Sequence, residues 1–118
     1  MSFELAKETY IQGDISEARN LFRELYGKAK YHPWRLRPRD LEDRWREKGE
    51  NKRLTGTITE VPTEDRYGRI QTTFPSTHRD TIVVGKTDLQ FQDPLTGDRV
   101  SHEITFNMQG PEASRVRK

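Results

Sequence analysis

The chain has 118 residues, of which 31% are hydrophobic and 34% are charged, and its formal net charge is +2. This composition allows one small core, and therefore one domain or a small domain with an extension. The absence of cysteine excludes disulfides and thiolate metal sites. No apolar run approaches the roughly 20 residues that span a bilayer, and no signal peptide follows Met1, so we expect a soluble, cytoplasmic protein without membrane contact.

The amino-terminal quarter has the pattern of a helical hairpin. Residues 3–12 and 14–26 show apolar residues at spacings of three and four. Gly13 suits the left-handed end of the first helix, and Asp14 suits the cap of the second. The motif running from Ala6 through Tyr10-Ile-Gln-Gly-Asp-Ile-Ser-Glu-Ala to Phe22 resembles one tetratricopeptide repeat. A lone repeat cannot bury its own faces, so it either caps an array or packs on the rest of the chain.

A basic, aromatic loop is predicted over residues 27–37, because Gly27, Pro33 and the following Pro38 disfavour a continuous helix there. Cations interleaved with rings are what a single-strand contact needs. The alternative is that the rings are buried and the cations only solvate the loop. The candidate contacts from this region are Lys28, Lys30, Arg35, Arg37 and Arg39.

A third helix is predicted over residues 38–48. Pro38 suits its first position, Gly49 its end, and two acid–arginine pairs lie four residues apart. With it, residues 1–52 form a helical extension.

Residues 53–118 have the pattern of a β module. Arg53–Val61 and Arg66–Phe74 alternate apolar and polar residues around a Pro-containing turn, which is typical of an antiparallel hairpin. Three more short strands are predicted at 80–84, 98–108 and 112–117. The predicted fold class is therefore α+β, with a small five-stranded antiparallel Greek-key barrel.

Five short motifs follow one another over about 65 residues of this module: Gly56-Thr-Ile, Tyr67-Gly-Arg-Ile, Asp80-Thr-Ile-Val-Val-Gly, Gly97-Asp-Arg-Val and Gly110-Pro-Glu-Ala with Val116. Their order resembles that of a cold-shock domain, a five-stranded barrel of the OB type. The resemblance implies binding of single-stranded nucleic acid by base stacking on exposed aromatic residues.

The chain departs from that family at most of its stacking positions. Tyr67 keeps one platform, Arg69 replaces a second ring, and Glu60 stands where the first strand has a tryptophan-type residue. Tyr67, Arg69 and Phe74 are the candidate contacts on the barrel, and the alternative for them is an ordinary solvated sheet face. Because each stacked base contributes about 1–3 kcal/mol, binding by this barrel should be weak.

No catalytic motif, phosphate-binding glycine loop or metal-ligand spacing appears in the sequence, so we expect neither an enzyme nor a cofactor. The scattered histidines at 32, 78 and 102 are interpreted as surface or packing residues. The favoured function is a weak, sequence-tolerant contact with single-stranded RNA or DNA, RNA being preferred. The alternative is a module that docks onto other proteins or onto other domains of a larger protein.

Overall fold

A computed structural model describes residues 2–30, 41–76 and 79–118; for residues 29 and 30 it describes the backbone alone. The elements in chain order are α1 Phe3–Ile11, α2 Ile15–Lys30, β1 Glu42–Arg44, β2 Arg46–Glu47, β3 Glu50–Asn51, β4 Arg53–Glu60, β5 Gly68–Thr72, β6 Thr81–Val84, a short 3-10 helix Lys86–Asp88, β7 Arg99–Asn107 and β8 Gly110–Arg117. The chain forms two compact units, Met1–Asp43 with Phe106–Pro111, and Arg44–Thr105 with Glu112–Lys118.

The predicted helical hairpin is present in the first unit. Gly13 has a φ of +91°, and Asp14 accepts a hydrogen bond from the Glu17 amide at 3.3 Å, as expected of a left-handed end followed by a cap. Ser2 caps α1 in the same way. The second helix continues through Gly27 to Lys30, beyond its predicted end at Tyr26. A single glycine costs a helix only about 1 kcal/mol, which is too little to end it.

The apolar face of the helical hairpin packs on the end of β7. The ring of Phe106 lies 5.5 Å from the Tyr10 ring, edge to face, and 6.1 Å from the Phe22 ring, nearly parallel. Ala6 and Ala18 are fully buried, which allows the two helices to approach closely. The helical hairpin thus buries its rings within its own unit.

A buried ion pair also belongs to this first unit. The Lys7 ammonium contacts the carboxylates of Glu4 and Asp43, and the lysine is only 6% exposed. Burial disfavours the charged ammonium, but the hydrogen bonds to Asp43 and Glu4 outweigh it and raise the pKa of Lys7 above its ordinary value. The pair ties α1 to the start of β1.

Five strands close into a barrel in the order β4-β5-β6-β8-β7, with β7 pairing back to β4. This confirms an α+β protein with a closed five-stranded barrel, but the prediction of a purely antiparallel barrel is wrong. Strand β6 runs parallel to β8 through Val83–Glu112 and Val84–Ala113. Directions cannot alternate around a closed ring with an odd number of strands, so at least one neighbouring pair must be parallel.

The prediction of a third helix at residues 38–48 is wrong for the residues that the structure describes. Residues 42–44 and 46–47 are strands, and β2 pairs with β3 across Lys48 and Gly49. Both turn residues have positive φ, 54° and 81°, which is the two-residue hairpin turn that glycine favours. Trp45 is 7% exposed, and its amide donates to the Ile104 carbonyl. Burial of this side chain outweighs the few tenths of a kcal/mol from helical charge pairs.

The barrel core is apolar except for one buried, hydrogen-bonded polar pair, His102 and Thr72. Ile58, Ile70, Ile82, Val84 and Ile104 are buried. In β6 the buried positions are Ile82 and Val84, and Val83 between them is only half-buried. None of the helices in the described ranges is long and apolar enough to cross a membrane.

Candidate nucleic-acid interface

The aromatic candidate Tyr67 lies beside an open groove at one end of the barrel. Its side chain is 59% exposed, directly before β5. The groove has a volume of about 570 Å³ and is lined by residues 63–67 and 85–87. A Cβ atom on Gly85 would lie 3.4 Å from the Tyr67 ring, so the glycine backbone forms the wall next to it. A planar group could therefore contact the ring in this groove.

The cations around this groove are paired with acids. Lys86 lies 3.2 Å from a Glu64 carboxylate oxygen, and Arg66 lies 3.8 Å from Glu60. Arg69, the candidate next to Tyr67 on the same exposed row, lies 4.0 Å from Glu60. These pairs are exposed and individually weak, at about 0–1 kcal/mol. They nevertheless reduce the positive potential that a phosphate would meet in the Tyr67 groove.

Phe74 takes part in packing. Its ring is edge-on to the Trp45 ring at a centroid distance of 4.8 Å, and the residue is half-buried. A ring held in this way offers less free surface to a base than Tyr67 does.

The remaining candidates lie elsewhere in the chain. Lys28 is exposed on α2, in the first unit, whereas Tyr67, Arg69 and Phe74 belong to the second unit. The Lys30 backbone ends α2. Arg35, Arg37 and Arg39 lie outside the described residues.

A second concave surface, which we call the β4–β5–β7 cleft, was missed by the sequence analysis as a unit. Its volume is about 310 Å³. Seven of the side chains that line it can donate hydrogen bonds to a ligand, and Lys118 at its edge is an eighth; the seven are Thr55, Thr57, Gln71, Thr73, Arg79, Arg99 and Ser101. Strand pairing brings them together, with Thr57 opposite both Gln71 and Arg99, and Thr55 opposite Ser101. Except for Arg79, the seven side chains lie at alternate positions along three different strands, and this alternation is the feature that they share in the sequence.

The charge of this cleft is mainly positive. Arg79 and Arg99 form no salt bridge within the described ranges, and Lys118 at the edge lies 3.4 Å from Asp98. Three cations therefore face one neighbouring carboxylate, in contrast to the Tyr67 groove.

A partly buried network of hydrogen bonds supports one wall of the cleft. Arg53 donates to a Glu103 oxygen at 3.1 Å, to the Ser101 hydroxyl at 2.9 Å and to the Arg115 carbonyl at 2.9 Å. Glu103 is 5% exposed, and its second oxygen, Oε1, has no hydrogen-bond partner in the part of the chain that the structure describes. Arg115 has a φ of +45°, unusual for a residue other than glycine. These bonds fix the position of Ser101 on the cleft wall.

The only histidine that the structure describes is inside the barrel. His102 is fully buried, with Nδ1 3.1 Å from the Glu103 carbonyl and Nε2 3.1 Å from the Thr72 hydroxyl. A carbonyl can only accept, so Nδ1 carries the proton and Thr72 donates to Nε2. Burial lowers the pKa of His102 below its ordinary 6.5, and the Arg53 charge adds to this effect. Of the two roles expected for the histidines, on the surface or in packing, His102 has the second.

Within the described ranges, no group of three or more His, Asp or Glu side chains is placed to hold a metal ion. The absence of a cofactor and of catalysis stays a prediction. No protein-family model matches the chain, and no curated protein matches it significantly. The candidate site must therefore be judged on its own chemistry.

Proposed function

We propose that the barrel is of the OB type, in its cold-shock form, and makes a non-catalytic contact with single-stranded nucleic acid at the Tyr67 groove. The observation that carries this proposal is an exposed aromatic ring beside an open groove on a closed five-stranded barrel. The strand order is compatible with an OB-like barrel, and exposed rings are the stacking platforms that such barrels offer to bases.

The proposed contact is weak and tolerant of sequence. One free ring provides about 1–3 kcal/mol by stacking, and every base has a face that can stack. The cations beside the ring are partly neutralised by Glu60 and Glu64. Affinity in the range of non-specific binding, about 10⁻⁴–10⁻⁶ M, is therefore expected.

The test is a fluorescence titration of labelled oligo-U and oligo-dT at about 50 mM salt, with RNA expected to bind at least as well as DNA. Tyr67→Ala should weaken binding about 5- to 150-fold, the equivalent of one stacked base. Tyr67→Phe is the matched control, because it keeps the ring and should keep most of the affinity. If neither oligomer binds below roughly 100 μM, the top of that range, the proposal is wrong.

The alternative function, docking onto protein, has less support. The helical hairpin would supply the docking face, yet its rings at Tyr10 and Phe22 already pack on Phe106. Leu5 on α1 is 51% exposed, but single exposed apolar side chains are ordinary on protein surfaces. A negative titration would make docking the better hypothesis.

A further inference from the structure

We propose that the β4–β5–β7 cleft is a phosphate-binding site, and that it takes backbone phosphates of the strand whose base stacks on Tyr67. The second half of this inference rests on the function proposed above. The first half rests on the cleft alone, on its hydrogen-bond donors, its charge and its position along β5.

The donors form a small grid on three neighbouring strands. One row is Gln71, Thr57 and Arg99, paired across β5, β4 and β7. The next row is Thr73, Thr55 and Ser101, where the Thr73 amide donates to the Thr55 carbonyl at 3.0 Å. Strands lie about 4.8 Å apart and alternate residues about 6.7 Å apart, so the grid matches the size of one or two phosphate groups.

Two hydroxyls of the grid keep a proton to offer to an anion. Ser101 Oγ accepts a hydrogen bond from Arg53 at 2.9 Å, so its own O–H points elsewhere. Thr73 donates its one hydroxyl proton to the Thr55 carbonyl at 3.0 Å, so Thr55 is the donor in the 3.4 Å contact between the two hydroxyls, and this long bond is the only one that its proton makes among the described residues. A phosphate oxygen would give both Ser101 and Thr55 a full acceptor.

The cations provide the attraction. Arg79 and Arg99 line the cleft without a salt bridge to any residue that the structure describes. An arginine guanidinium can hold a phosphate through two parallel hydrogen bonds, which makes it suited to this ligand. The Asp98 carboxylate accepts a hydrogen bond from the Leu95 amide at 2.9 Å and pairs with Lys118. It therefore holds that lysine at the edge of the cleft.

The cleft and the Tyr67 groove are joined along β5. Tyr67, Arg69 and Gln71 are successive members of one exposed row, because side chains alternate along a strand. Four residues of a strand cover about 13 Å. A single strand could therefore lie along β5 with a base on Tyr67 and its phosphates in the cleft.

The first experiment measures oligo-U affinity against salt concentration for wild type, Arg79→Gln/Arg99→Gln and Lys52→Gln. Each phosphate contact to a single strand adds about 0.7 to the slope of log affinity on log salt. The double variant should lose about 1.4 from the slope, while the Lys52→Gln control should change it little, because Lys52 pairs with Glu47 at 2.7 Å and lines neither surface. An unchanged slope in the double variant, with Tyr67→Ala still weakening binding, overturns the cleft and leaves the proposed function standing.

The second experiment tests the cleft without nucleic acid. Inorganic pyrophosphate is titrated into the labelled protein, and amide chemical shifts are followed by NMR. The Thr55, Thr57 and Ser101 amides should move, and the shifts should disappear in Arg79→Gln/Arg99→Gln. Absence of these shifts overturns the phosphate site. Shifts in the cleft with no oligomer binding would retain the phosphate site and overturn the proposed strand contact.

Discussion

The Tyr67 groove and the β4–β5–β7 cleft lie on the same five-stranded barrel, but they differ in two features that favour nucleic-acid binding, an exposed aromatic ring and cations without an acidic partner. The groove has an exposed ring, and its cations at Arg66 and Lys86 are paired with Glu60 and Glu64. The cleft has no ring among its lining residues, but it has two arginines without a salt bridge in the described ranges and several hydroxyls.

This difference shows that a count of cations along a sequence is a poor measure of which cations remain without an acidic partner. The chain carries 21 Lys and Arg against 19 Asp and Glu, so nearly every cation could in principle be neutralised. Which cations stay available depends on strand register. Thr57 opposite Arg99 and Thr55 opposite Ser101 place donors together, whereas Glu60 opposite Arg69 removes one.

The largest expected effect comes from breaking the barrel that carries both surfaces. Ile104 is fully buried in β7, so Ile104→Ala should lower the free energy of unfolding by about 2–5 kcal/mol. Denaturant unfolding measures this, and binding at both surfaces should be lost together with the fold. Leu95→Ala is the matched control, because Leu95 is 63% exposed and its truncation should change stability by at most about 0.5 kcal/mol. Equal effects for both variants would contradict the described core.

The parts of the fold that the sequence predicted are those set by local rules. The Gly13-Asp14 turn and the hairpin of β4 and β5 follow from caps and from two-residue alternation. The structure departs from prediction where distant contacts decide. The segment around Trp45 carries helical charge pairs, but burial of its ring and pairing with β7 make it extended. The parallel pair of β6 and β8 follows from closure of the ring, which no local pattern contains.

The candidate site was predictable to the same extent. An exposed Tyr67 follows from alternation, since Gly68 and Ile70 point inward. The packing of Phe74 on Trp45 and the assembly of the cleft require the register of three strands, and one sequence without its pairings does not provide it. Alternating threonines in β4 beside arginine and serine in β7 were the available signal.

A smaller effect on stability is expected from pH, through the buried hydrogen bond between Thr72 in β5 and His102 in β7. His102 is held neutral in the folded barrel, with its pKa lowered below 6.5. As the pH falls, His102 takes up a proton in the unfolded chain at a higher pH than in the folded protein. The free energy of unfolding should therefore be constant above about pH 6.5 and decrease below it. For one proton the slope is at most about 1.4 kcal/mol per pH unit.

The measurement is the free energy of unfolding between pH 7.5 and pH 5.5, compared with His102→Gln. Glutamine can both donate and accept but does not titrate, so the difference between the two curves isolates His102. A wild-type curve that runs parallel to the variant curve would contradict a neutral, buried His102.

The smallest expected effect concerns the ion pair of Glu64 and Lys86, which accounts for part of the difference in charge between the two surfaces. Glu64→Gln removes the carboxylate that pairs with Lys86 at 3.2 Å and makes the Tyr67 groove more like the cleft. If Lys86 then contacts a phosphate, the salt slope for oligo-U should rise by about 0.7, and affinity at low salt should rise with it. Glu50→Gln, on the β2–β3 hairpin, is the charge-matched control, because it changes net charge equally without touching either surface. A rise of the same size in both variants would show that net charge, and not the pairing of Lys86, limits binding at the groove. A rise confined to Glu64→Gln would show that the carboxylates beside Tyr67 set how weakly the groove binds.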